Sequence, residues 1–252
     1  GVPSEGVLMI GKAPSMRDTR ISFAYDLNDR KDNHWSDKLV IRKEGDNLKS
    51  SFVHVFEPFG NNEKTVVRKV EKLLKDPADE KDVLIKITCE GYTDYLFSAY
   101  DTMEMTYDGI VFTGSFGFVR MKNEKAVFMQ VLKGSVKTKN ALLSKEASYS
   151  GIVEECRSRK EGHGANGFIV NEPIPEEKDL KTVIIRHPDG SVHAYTVEGI
   201  KKLQGKTLVD IGDTDPGFTV INEKRSKMQS FPFYQWEGET KYVIDETGFL
   251  RP

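Results

Sequence analysis

The side chains of this sequence that could do chemistry are few and widely spaced. Five are histidines, and His187 and His193 flank Pro188-Asp189-Gly190 in a way that suggests a two-histidine metal pair. A two-residue loop at Asp189-Gly190 pairs Pro188 with Ser191 and His187 with Val192. His193 then points to the sheet face opposite His187, because side-chain direction alternates along a strand. On that register the two share no metal, although a longer loop would alter it. Both read as surface or rim histidines, and no metal site is expected.

His54 shares a strand face with Phe52 and Phe56 and reads first as a hydrogen-bonded core residue. A ligand-binding or catalytic His54 is the competing reading, with Glu57 on the opposite face and so no obvious acid–base partner. Glu161-Gly162-His163-Gly164-Ala165-Asn166-Gly167 lacks the Lys-Ser/Thr of a phosphate-binding loop and reads as a mobile loop. Ser115 stands between glycines, but Thr113 occupies the position where a nucleophile elbow needs Gly. Bulges or close sheet packing explain those glycines better. Asp210, Asp213 and Asp215 offer hard oxygens suited to calcium. Without EF-hand spacing they read as an acidic turn. Cys89 reads as a small buried hydrophobe. Cys156 has no visible catalytic partner, and spacing does not support a disulfide between the two. No catalytic residue is assigned, and no motif calls for a cofactor.

Aromatic residues are the remaining lead. Phe231, Phe233, Tyr234 and Trp236 cluster tightly, and Trp35 follows His34 in a polar stretch. Aromatic faces stack on sugar rings through apolar C–H surfaces while nearby polar groups fix orientation. Trp35, Tyr234, Trp236 and His54 are therefore the carbohydrate-binding candidates, with core plugging at a sandwich end as the more ordinary reading of the cluster.

The elements that must position these residues are strands. Val83, Ile85, Ile87 and Cys89 alternate with Leu84, Lys86 and Thr88, the period of a half-buried strand. Asp108-Gly109 tolerates the positive φ of a tight hairpin. The run 126–132 follows the polar turn Lys122-Asn123-Glu124-Lys125. Val66, Val67, Val70, Leu73 and Leu74 fit a helical stripe, but their β-branched types favour a strand. Turn signals recur every ~8–12 residues, which predicts an all-β antiparallel β-sandwich. The polar stretch near 133–149 suggests two β-rich units, 1–133 and a smaller one at 134–252.

The 252 residues are long enough for one or two domains. With 37 basic and 39 acidic side chains the formal charge is −2. This removes any global electrostatic argument for nucleic acid or an anionic membrane, leaving only local patches. No apolar run is long enough to span a bilayer as a helix. The first residues lack Met and a signal-like apolar stretch, which suggests an excised piece of a longer protein.

Lys49-Ser50-Ser51-Phe52-Val53-His54-Val55-Phe56-Glu57-Pro58-Phe59-Gly60 resembles the C-terminal β-sandwich region of heparinase II/III-like polysaccharide lyases, where a Ser-Xaa-Phe-Val stretch leads to Glu-Pro-Tyr/Phe. The stretches 20–27, 108–120 and 192–197 are also similar. The resemblance implies a periplasmic or secreted parent in which an N-terminal α/α-toroid precedes antiparallel sheets. Such enzymes cleave uronic-acid polysaccharides by β-elimination, with a base taking the C5 proton and the neighbouring carboxylate neutralised. This chain has no helical repeats, and no two of its histidines are two residues apart, so the family's His-Xaa-His-type stretch is missing. It is therefore expected to be a non-catalytic region that supports a missing toroid and contacts an acidic polysaccharide. A free-standing carbohydrate-binding module and a complete enzyme with a site near His54 are the alternatives.

Overall fold

Alternating β-branched and aromatic residues, punctuated by turn formers, fold into antiparallel strands with short connections. The computed structural model describes residues 5–10, 19–29, 34–44, 53–60, 63–73, 82–176, 178–230 and 233–252. The chain is an all-β protein built as an antiparallel β-sandwich, and it divides into two compact units, Gly1–Thr102 with Phe118–Val127 and Met103–Gly117 with Phe128–Pro252. Position 133 falls within a strand, because β9 runs over Lys125–Lys137.

The first unit contains β1 (Glu5–Ile10), β2 (Thr19–Asp29), β3 (His34–Lys43), β4 (His54–Phe59), β5 (Val67–Lys72) and β6 (Val83–Cys89). β1 pairs with β4 and β2 with β3, both antiparallel. The ambiguous valine-rich segment is the strand β5, paired antiparallel with β6. Leu74 lies outside the described residues. β6 departs from simple alternation, because Val83, Leu84 and Ile85 are all buried. Its first three residues are thus covered on both faces, Lys86 to Thr88 are half-buried, and Cys89 is buried again.

β7 (Tyr92–Tyr107), β8 (Ile110–Lys122) and β9 contribute residues to each unit. Asp108 and Gly109 both have positive φ, 49° and 74°, the conformation required at the two central residues of a type I′ hairpin. Gly114 on β8 and Gly134 on β9 bring their backbones together. A Cβ on Gly134 would lie 2.1 Å from the Thr113 carbonyl oxygen, and one on Gly114 2.5 Å from that of Lys133. These glycines serve close sheet packing.

The second unit adds β10 (Leu142–Lys145), β11 (Ser148–Arg157), β12 (Gly167–Val170), β13 (Leu180–Arg186), β14 (Val192–Thr196), β15 (Gly199–Leu203) and β16 (Lys206–Asp210). It ends with β17 (Phe218–Asn222), β18 (Arg225–Met228), β19 (Gln235–Glu237) and β20 (Lys241–Leu250). The first half of β11 pairs with β20, and its second half pairs with β12. A register shift between Val153 and Glu155 marks the change. Such an irregularity lets one strand turn a corner between two layers. One layer is β14-β13-β20-β11, the other β11-β12-β16-β15, with a three-stranded sheet β17-β18-β19 beside them. The core gathers Phe168, Val183, Ile185, Val209, Phe218 and Tyr242 with Trp236. Burying each large side chain contributes about 1.5–3 kcal/mol.

Candidate functional site

The β13–β14 turn reverses the expected relation between its two histidines. Ile185 pairs with His193 and Arg186 with Val192. The His187 amide donates to Ser191 O at 2.9 Å, and Gly190 N donates back to His187 O at 2.9 Å. The loop is therefore Pro188-Asp189-Gly190, one residue longer than Asp189-Gly190. Asp189 Oδ1 accepts from the Ser191 amide (2.9 Å) and hydroxyl (2.6 Å), and Gly190 takes φ +85°. One extra loop residue moves every partner by one and turns His187 onto the face of Ile185 and His193. The histidines lie side by side, with His187 Nε2 3.3 Å from His193 Nδ1.

His187 is not a rim residue either. It is 3% exposed, and its ring stacks on the indole of Trp236 with centroids 3.9 Å apart and an interplanar angle of 10°. Phe218 and His193 meet it edge-on at 4.7 and 4.9 Å. Phe168 extends the cluster, stacked on Phe218 and met edge-on by Tyr195. His187 Nδ1 is buried without a hydrogen-bond partner. Burial, reinforced by the like charge of His193, pushes the His187 pKa down to about 4, against a small opposing pull from Asp189. His187 is thus neutral at pH 7. Trp236 Nε1 donates to Asp189 Oδ2 at 2.8 Å. Donors from Ser191 and Trp236 together hold the Asp189 carboxyl at about 2.

The acidic turn is held by charge pairing. Asp210 Oδ2 accepts from Lys201 Nζ at 2.6 Å, and its other oxygen accepts from Gly212 N. Asp213 pairs with Arg159 at 2.6 Å. Asp215 accepts from Ser158 Oγ at 2.7 Å and from Gly217 N. Each carboxylate is engaged separately by a cation, a hydroxyl or an amide. The glycine-rich loop is tied down as well. Buried Asn166 accepts from Arg159 N and donates to Gly212 O, and Ser158 N donates to His163 Nδ1. Both thiols are free and buried, and burial raises the pKa of each.

Of the carbohydrate candidates, Trp236 is 5% exposed, so neither ring face can meet a sugar in this arrangement. Tyr234 is 58% exposed and Phe233 68%. The latter has φ +46°, with its amide donating to Ser230 O. Phe231 lies outside the described residues. Trp35 sits on β3 opposite Leu27, in the first unit. His54 is half-buried on β4 in the same unit, tilted against Phe56 at 6.3 Å. Phe56 is 73% exposed, so this strand face is not a core face at Phe56. Phe52 lies outside the described residues. Two of the four candidates thus lie in each unit.

Two further features carry no local sequence signal. In the first unit Arg120 makes a two-pronged contact with buried Asp94, both bonds 2.8 Å, and covers the Tyr92 ring at 4.1 Å. In the second unit an open polar depression of about 750 Å³ is lined by Glu154, Glu155, Lys206, Asn222, Arg225 and Glu237. Its charges are largely paired, Lys206 with Glu154 at 2.5 Å and Arg225 with Glu237 at 3.0 Å. Asn171 also donates to Glu154.

No family model and no curated protein sequence matches this chain. Its chemistry must be judged from the geometry. Among the described residues, no three His, Cys, Asp or Glu side chains converge as a metal ion requires. The cluster holds the neutral His187 imidazole against the His193 ring and the Trp236 indole, which suits packing. The open depression presents paired charges and amide groups to solvent, which suits hydrogen bonding to a polar surface.

Proposed function

We propose that this chain is the non-catalytic β-sandwich region of a heparinase II/III-like polysaccharide lyase, or of a relative, which supports an α/α-toroid and contacts glycan. One observation carries the reading. His187, a potential proton carrier beside half-buried His193, is packed against Trp236 and Phe218 and is only 3% exposed. A polymer substrate needs its base at the floor of an open cleft, within hydrogen-bond reach of the proton to be taken. The all-β architecture agrees with what the resemblance at residues 49–60 implies for such a region, and a periplasmic or secreted parent follows from the same likeness. The test is incubation of the purified chain with heparin-like and alginate-like polysaccharides. No unsaturated-uronate ultraviolet absorbance is expected, and its appearance would overturn the reading.

A free-standing carbohydrate-binding module is the second reading, favoured by the exposed rings of Phe233 and Tyr234. Stacking on a sugar needs such an open ring face. Tyr234→Ala should then abolish retention on a glycan array while leaving the fold intact. Equal retention of the variant and the parent would count against this site.

A further inference from the structure

We propose that the His187–His193 pair is an acid-operated latch, which holds Trp236 and β19 against the β13–β14 turn at neutral pH and frees them in acid. Three contacts fasten this end of the three-stranded sheet to the turn. The Trp236 ring stacks on His187, its Nε1 donates to Asp189, and Phe218 of β17 abuts the same imidazole. Two of the three use His187 itself, so its charge state bears directly on the fastening.

The pair is built for one proton fewer than it can carry. A hydrogen bond between His187 Nε2 and His193 Nδ1 needs one nitrogen as acceptor, so at least one ring must be neutral. With both ring nitrogens protonated, His187 would carry an N–H at buried Nδ1, where no acceptor stands. The charged and titratable groups facing His187 are His193 from β14 and Asp189 from its own turn, while β17 and β19 present Phe218 and Trp236. Tyr195, beyond His193, donates its hydroxyl to Pro216 O, and nearby Asp215 is held by Ser158 and Lys160. Asp189 and the indole face both attract an imidazolium, but neither supplies an acceptor at Nδ1.

Opening releases His187 to water and to its ordinary pKa of 6.5, against about 4 when latched. The opening equilibrium therefore rises by up to about tenfold for each pH unit below 6.5, to roughly 160-fold at pH 4 and a ceiling of roughly 300-fold below it. At neutral pH the latch gains nothing from protonation and stays shut.

The chain contains two tryptophans, so a Trp35→Phe chain reports on Trp236 alone. Its acrylamide quenching, followed from pH 8 to pH 4, should climb steeply below pH 6.5 while far-ultraviolet circular dichroism stays constant. His187→Gln in the same background should flatten that rise. A flat profile in the parent, or an undiminished rise in the His187→Gln chain, would overturn the proposal. Should His187→Gln fail to fold, the histidine ring resonances of the Trp35→Phe chain decide. Protonation of His187 in step with the quenching rise supports the latch, and protonation without any change at Trp236 refutes it.

Discussion

Two regions of the second unit use their polar groups in opposite ways. His187 is buried, aromatic-walled and neutral, and one of its ring nitrogens is left without a partner. Around Arg225 and Lys206 the groups are charged, paired and open to solvent. The difference shows that energetic weight follows enclosure. A buried, unbonded nitrogen makes protonation costly, while a solvated ion pair contributes about 0–1 kcal/mol.

The largest effect that would sharpen this contrast is the loss of a wall of the sealed cluster. Phe218→Ala removes a fully buried ring shared by His187, Trp236 and Phe168, and should destabilise the chain by about 3–5 kcal/mol in urea unfolding. A loss below about 1 kcal/mol would show the cluster to be loosely packed.

Acid comes next. Because the folded pKa of His187 lies below its unfolded value, the unfolded chain binds the proton first as pH falls. The stability held above pH 6.5 is lost progressively down to about pH 4. At roughly 1.4 kcal/mol per pH unit that interval amounts to about 3 kcal/mol. Urea midpoints across the interval should show the slope, and His187→Gln should reduce it.

A smaller change follows from Trp236→Phe, which keeps a stacking ring and deletes the donor to Asp189. The expected cost is about 1 kcal/mol, measurable as a shift in the urea midpoint without a change in slope. Smallest of all, Lys206→Ala in the open depression should cost at most about 1 kcal/mol, and less in high salt. A larger effect there would erase the distinction between the two regions.

Much of the architecture is legible in the sequence, because it rests on local signals. Asp108-Gly109 marks its hairpin through positive φ, and the β-branched residues of 66–73 outweigh their helical spacing. The closely packed glycines at 114 and 134 are legible in kind, though their mutual approach is not. The His187 cluster is illegible for two physical reasons. A hairpin's register depends on whether its loop has two residues or three, and Pro188-Asp189-Gly190 is compatible with either. The Trp236 contact closes over 47 residues of sequence and leaves no periodic trace. For the same reason Arg120 gives no hint that Asp94 and Tyr92 await it, 26 and 28 positions away. His54 shows the converse error. Its alternation with Phe56 resembles a core face, yet the ring of Phe56 is largely open to water.

His187 is sealed into packing rather than presented for chemistry. Nuclear magnetic resonance titration of the His187 ring in the intact chain tests this most directly. A protonation midpoint near 4 is predicted. A midpoint at or above 6.5, the ordinary value for an exposed histidine, would contradict it.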